Sequence, residues 1–307
     1  MTTLLLSLAI VLSWGSWIPI AQSVPGARQS TRTLYVTAGN LVFAAIALVV
    51  GGSAGQLTLG WKVFWLPLVG GLVWVGGSFC AFRATETIGL ARAAGTWTPL
   101  NIIVAFILGA LLFNELAGIT AARYTIMGGC LVLVLVGVFL IIGSQNSADA
   151  GDGAGDAGVR AAPAISLRTG FGFAIGAGLL WGAYFVPAQW AHVPSQLGNF
   201  PLAVGMFVGA IMLAARDGGI VRPAPRHSAV LLTSGLLFGI GSVALLGLVS
   251  RVGTGVGFTI AQLSLLVNAS AGIWVFKVPP PGSRAARTAM AGIVLAGVSG
   301  TVIGALR

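Results

Sequence analysis

Charge is what this 307-residue chain has least of: Asp, Glu, Lys and Arg together make up 7% of it, and only six residues are acidic. A soluble domain is near a quarter charged, so the polar surface that water requires is missing. Histidine occurs twice and cysteine twice. His192 and His227 stand at the ends of apolar runs beside Pro or Arg, and no metal centre is expected from so few ligands. Cys80 and Cys130 lie inside apolar stretches and read as small buried hydrophobes, with no disulfide framework. The sequence has no H-E-x-x-H and no G-x-S-x-G, which removes the common hydrolase sites. It also has no G-x-x-x-x-G-K-[ST] loop, which excludes direct ATP drive by this chain. An enzyme is not expected, and neither is a cofactor.

What is present is apolar: 57% of residues by type, a mean hydropathy of +0.98, and 46 glycines. Apolar runs cover 3–23, 33–53, 62–82, 88–113, 122–143, 168–190, 197–215, 228–250, 254–276 and 286–306. Each is long enough to cross a hydrocarbon core of roughly 30 Å. Backbone groups in lipid must be satisfied within the segment, so every run is expected to be a helix. The expectation is an all-α membrane protein of ten transmembrane helices, multi-pass in the plasma membrane, with the lipid bilayer as its main partner. The net charge of +10 and pI of 11.3 would suggest nucleic acid in a soluble protein. Here the basic residues sit mostly between runs, where membrane topology places them, so nucleic acid is not an expected partner. The first run has no basic segment before it and no A-x-A after it, and it reads as a retained helix.

One stretch breaks the pattern. Ser144 to Arg160 is Gly, Ala and Asp without apolar periodicity and reads as a flexible linker. It divides the chain into a first five-helix repeat over 1–143, a linker over 144–167, and a second five-helix repeat over 168–307. Five is odd, so two similar halves would enter the membrane in opposite orientations. The halves do match. Trp14-Gly15-Ser16-Trp17 followed by Ala21-Gln22 aligns without a gap on Trp181-Gly182-Ala183-Tyr184 followed by Ala188-Gln189. Pro19 and Pro187 are expected to interrupt the two helices in nearly matching places. Gly71, Gly77-Ser78 and Gly89 fall on Gly235, Gly241-Ser242 and Gly253 at constant spacing. Inverted repeats with broken helices are the pattern of secondary transporters that bind substrate at the repeat interface.

With those residues in view, the chain resembles the drug/metabolite transporter superfamily, and within it the glucose/ribose porter (sugar uptake) family. The resemblance rests on Trp14-Gly15-Ser16, Ile88 to Ala93, Leu111-Leu-Phe-Asn-Glu115, Phe258-Thr-Ile-Ala-Gln-Leu-Ser264 and the last run from Gly292 to Gly304. It departs at Lys277-Val-Pro-Pro-Pro-Gly282, where the family often has an acidic residue. The resemblance implies ten helices as five plus five. It further implies transport of a small polar solute, a monosaccharide such as glucose or ribose, by alternating access, with the proton as a candidate coupling ion. Export of amino acids, metabolites or drugs is the alternative within the superfamily.

A sugar offers hydroxyls and apolar C–H faces, so its site calls for amides, hydroxyls and flat aromatics in a mostly apolar cavity. The substrate-binding candidates are Trp14, Trp17 and Gln22 in the first run, Trp74 in the third, and Trp97, Thr98 and Asn101 in the fourth. The sixth run adds Trp181, Tyr184 and Gln189, and the ninth adds Gln262, Ser264 and Asn268. Cavity lining and helix-to-helix hydrogen bonding are both open to Trp97, Asn101 and Gln262, which lie near mid-helix. Trp61 and Trp65 read as interfacial anchors. Arg83, Glu86 and Arg92 cluster where the third run meets the fourth and read as an interfacial ion pair. The functional reading makes Glu86 a proton acceptor, although neighbouring arginines favour its charged form.

Basic residues are unevenly shared between the two faces. The connections after runs 1, 3, 5, 7 and 9 hold Arg28, Arg32, Arg83, Arg92, Arg160, Arg168, Arg216, Arg222, Arg226, Lys277, Arg284 and Arg287. The other face holds Lys62, Arg123, Arg251 and Arg307. Cytoplasmic loops are the basic ones, so the linker face is expected in the cytoplasm and the termini outside.

Overall fold

The computed structural model describes residues 2–113, 120–143, 167–193, 195–252, 260–261 and 263–306. The described residues form helices and connections, with no strand among them. In chain order the helices are α1 Thr2–Gln22, α2 Gln29–Val50, α3 Leu66–Ile88, α4 Leu90–Phe113, α5 Ala121–Gly143 and α6 Leu167–Ala183. They continue with α7 Val186–Trp190, α8 Ser195–Arg216, α9 Pro225–Val252, α10 Ser264–Ser270 and α11 Arg284–Ala305. Single π turns precede α3 (Trp61–Trp65) and follow α10 (Ala271–Val275). Among the described residues, eight helical segments are long and apolar enough to cross a bilayer, and α4 is a further apolar helix of 24 residues. This is an all-α membrane protein.

Helix hydroxyls are satisfied locally. Thr33, Thr37, Thr85 and Thr96 each donate to the carbonyl four residues earlier, at 2.8–2.9 Å. That bond is how a threonine stays in a helix with no water nearby. The two prolines behave differently. Pro19 lies in the last turn of a continuous α1, so the expected interruption of that helix is absent. Pro187 occupies the first turn of α7 and separates it from α6 at Tyr184–Phe185. Proline is tolerated in a first turn, where its missing N–H would have had no intrahelical acceptor. The expected linker lies outside the described residues up to 166, and Leu167 is already helical.

Without a hydrophobic drive in lipid, helices associate by close packing, and small residues permit it. Three crossings show this at backbone level. α9 meets α2 where Gly235 faces Val36 and Asn40; a methyl group on Gly235 would lie 2.8 Å from the Val36 carbonyl carbon and 2.9 Å from the Asn40 nitrogen. α3 meets α8 where Gly71 faces Met206 and Gly205, with a methyl on Gly71 2.6 Å from the Met206 nitrogen. α5 meets α11 where Gly137 and Gly292 face each other's carbonyl oxygens, at 2.7 and 2.5 Å from the methyls that would replace their hydrogens.

The wider contacts come in pairs. α1 packs on α9 as α6 packs on α3, and α2 packs on α9 as α8 packs on α3. Likewise α10 packs on α1 as α4 packs on α6. A single residue, Gly89 at φ +79°, turns the chain from α3 into α4. Any other residue there would be strained, and its Cβ would also strike Val278.

Gly235→Ala should therefore destabilise the bundle by about 1–3 kcal/mol through overpacking. Gly172→Ala, where a methyl meets nothing within 4 Å, should be neutral or stabilising, since alanine is the better helix former. Thermal unfolding of the detergent-solubilised variants checks the contrast; equal midpoints would contradict the packing account.

Candidate functional site

The centre of the bundle holds a half-enclosed cavity of about 580 Å³, counted to its open mouth. Trp14, Trp17 and Ile18 of α1 line it with Trp74 of α3, Trp97, Thr98 and Asn101 of α4, Trp181 of α6, Phe238 of α9, and Ser264 and Asn268 of α10. Tyr184, at the break between α6 and α7, completes the wall.

Ten of the thirteen sequence candidates thus meet in one place. Gln22 and Gln189 are half-buried near the ends of α1 and α7 and do not line the cavity. Gln262 lies outside the described residues. Ile18 and Phe238 were missed. A signal for Phe238 existed, because it falls on Trp74 at the same spacing that sets Gly71 on Gly235 and Gly77 on Gly241.

The aromatic wall is continuous. Trp74 stacks on Trp181 with ring centroids 6.0 Å apart, and Trp14 stacks on Phe238 at 6.1 Å. Trp74 and Phe238 meet at 5.0 Å, while Trp17 touches Trp74 at 5.8 Å and Phe238 at 5.3 Å. Trp97 meets Trp181 edge to face at 5.5 Å. Glycines seat the two outer indoles: Gly77 lies against the Trp181 ring and Gly241 against the Trp14 ring. The hydroxyl of Ser234, fully buried, donates to the Trp17 carbonyl at 2.6 Å and pins α9 to α1.

Polar atoms on this wall fall into two sets. The Trp181 indole N–H donates to the Trp74 carbonyl at 3.1 Å, so it belongs to the scaffold. The Asn268 amide N–H₂ reaches the Trp14 and Ser264 carbonyls at 3.4 and 3.3 Å. The buried Trp14 Nε1 donor and Asn268 Oδ1 acceptor have no protein partner among the described residues. Both residues line the cavity, and the Trp14 Nε1 edge lies against Gly241 of α9. The other polar residues of the lining are Thr98, Asn101, Tyr184 and Ser264. No charged side chain lines the cavity among the described residues. No group of three potential metal ligands occurs among them either.

Glu86 lies away from the cavity, near the end of α3. Its ion-pair partner is Arg32 of α2, not the Arg83 or Arg92 that flank it in sequence. Arg83 extends over the Phe79 ring, 5.8 Å from its centroid. The ion pair expected at this corner is made, but across two helices instead of within the α3–α4 connection. Trp61 and Trp65 face outward at the start of α3.

Comparison with known proteins adds the rest. The profile of the family described as sugar transport protein matches residues 5–306. The glucose uptake protein GlcU of Bacillus subtilis is 23% identical over 275 residues, covering 89% of this chain and 88% of that protein. A protein of Lactiplantibacillus plantarum, provisionally named a sugar uptake protein, is 26% identical and covers 89% of this chain and 88% of its own. A solved crystal structure superposes with a TM-score of 0.62 at 20% identity, covering 98% of both chains, and supports the fold alone.

Trp181→Phe should lower the thermal midpoint of the purified protein, because it removes the buried hydrogen bond to the Trp74 carbonyl, a loss of about 0.5–1.5 kcal/mol. Trp14→Phe removes an N–H that bonds nothing in the protein and should cost clearly less. A larger loss for Trp14→Phe would show that its indole is structural.

Proposed function

Because the chain belongs to the sugar transport protein family, we propose that it is a secondary transporter that moves a monosaccharide such as glucose or ribose across the membrane by alternating access. It is a multi-pass protein of the plasma membrane, and its family transports solutes and does not catalyse reactions. The observation that carries the reading is the cavity wall: flat indoles for the C–H faces of a sugar ring, with neutral donors and acceptors between them. Amino acids and organic ions would need a charged counterpart there, and the described lining has none. The side chains of Thr98, Asn101, Ser264 and Asn268 would bond sugar hydroxyls, which both donate and accept.

Alternating access rests on two inverted five-helix halves, 1–143 and 168–307, with ten helices in all. The paired contacts support it. Exchanging α1 for α6, α2 for α8, α3 for α9, α4 for α10 and α5 for α11 maps each packing described above onto another, or onto itself. The matched seats of Trp14 on Gly241 and Trp181 on Gly77 support the same exchange at side-chain level. Burial along α4 supports a cavity closed toward the basic face. Of residues 90–99 all but the half-buried Arg92 are buried, whereas none of the described burial states over 100–112 is buried. With the basic face in the cytoplasm, the state is outward-facing. Glu86 is paired with Arg32 and lies away from the cavity, so this reading gives it no coupling role.

Counterflow of labelled glucose or ribose in proteoliposomes tests the function, and its absence across a panel of monosaccharides would refute it. Asn101→Leu should cut that flux about tenfold with normal expression, the effect of losing roughly 1.4 kcal/mol of hydrogen bonding. A cysteine at Gly153, in a background without Cys80 and Cys130, should resist an impermeant thiol reagent on intact cells; ready labelling would reverse the orientation.

A further inference from the structure

The fold is symmetric in its packing but not in its charges. Arg32, in the first turn of α2, is 6% exposed and forms an ion pair with Glu86, 38% exposed near the end of α3. Its second terminal nitrogen donates to the Val24 carbonyl at 3.0 Å, which ties in the connection between α1 and α2. Three elements thus converge on one guanidinium, all on the basic face. The next contact along that face also holds α2: Ser30 donates to the Asp217 carboxylate at 2.6 Å, just past the end of α8.

The repeat exchange sets Gly39 of α2 on Gly205 of α8, as their matched positions against Gly235 and Gly71 require. The same offset carries Arg32 to Gly198. The spacing that sets Gly77 on Gly241 carries Glu86 to Ser250. Neither counterpart can hold a charge, so among the described residues this ion pair has no equivalent where the second half would close the opposite face. Parting α2 from α3 would leave a nearly buried guanidinium without its anion, which is strongly unfavourable. The corresponding movement at the other face breaks no ion pair among the described residues.

We infer that the Arg32–Glu86 pair is a one-sided latch that makes the conformation closed toward the basic face the resting state of an otherwise two-fold balanced transporter. The inference rests on the alternating-access reading and extends it to what sets the balance between the two states. A ligand that favours the other conformation has to work against the latch. Breaking the latch therefore shifts the empty protein toward opening on the basic face.

The test needs no sugar, so its failure is separable from a wrong substrate. Ala21 of α1 is fully buried on the basic side of the cavity, and Ala188 of α7 is half-buried on the other side. Each is replaced singly by cysteine in a Cys80→Ala background, with the buried Cys130 of α5 retained as an internal control for general loosening. Maleimide labelling rates are then compared with and without Glu86→Gln. The expected result is a rise of roughly fivefold or more at position 21, a fall at position 188, and no change at Cys130, the range usual for coupled equilibria. Arg32→Gln is the second variant, and because Glu86 is partly exposed, Glu86→Gln carries the test if Arg32→Gln does not fold. Unchanged rates at both reporters would overturn the latch. A parallel rise at both reporters and Cys130 would also overturn it, by showing mere destabilisation.

Discussion

Contact between helix backbones is the constraint on which this structure depends. In lipid the side chains gain little by leaving an apolar solvent, so helices must come close enough for dispersion to hold them. Gly235 of α9 against α2, Gly71 of α3 against α8, and the facing pair Gly137 and Gly292 provide that approach. Because these crossings fix α2, α3, α8 and α9 against one another, they also fix where Trp74 and Phe238 stand. The cavity wall is built outward from that pair, whose rings meet at 5.0 Å.

The wall in turn separates scaffold from site. Trp181 and Trp14 sit on matching glycines, yet the indole N–H of one is bonded to the Trp74 carbonyl and that of the other is not. Matching positions therefore have unequal chemistry.

Much of this was legible in the sequence. Run lengths gave most of the described helices to within a few residues, since the hydrocarbon thickness leaves little choice. Run 62–82, however, stops six residues short of the end of α3, and run 168–190 is broken into α6 and α7. The Trp-Gly-x-aromatic match led to Trp14, Trp17, Trp181 and Tyr184, which converge on the cavity. Other features were hidden for physical reasons. Nothing local distinguishes Pro19, held inside α1, from Pro187, which starts α7; the difference lies in where each helix ends. The partner of Glu86 was sought among its sequence neighbours, but charge pairing follows distance in space, and α2 brings Arg32 there from 54 positions away. Phe238 was passed over because an aromatic in an apolar run looks like packing until its alignment with Trp74 is noticed.

The turn at Gly89 has a mechanical consequence. A one-residue connection stores no slack, so α3 and α4 form a lever arm with a stiff elbow at the basic face. Glu86 lies three residues before the elbow and Trp97 eight residues after it. With so short a connection, the ion pair and the indole at the cavity are joined through about one turn of helix on one side and about two on the other.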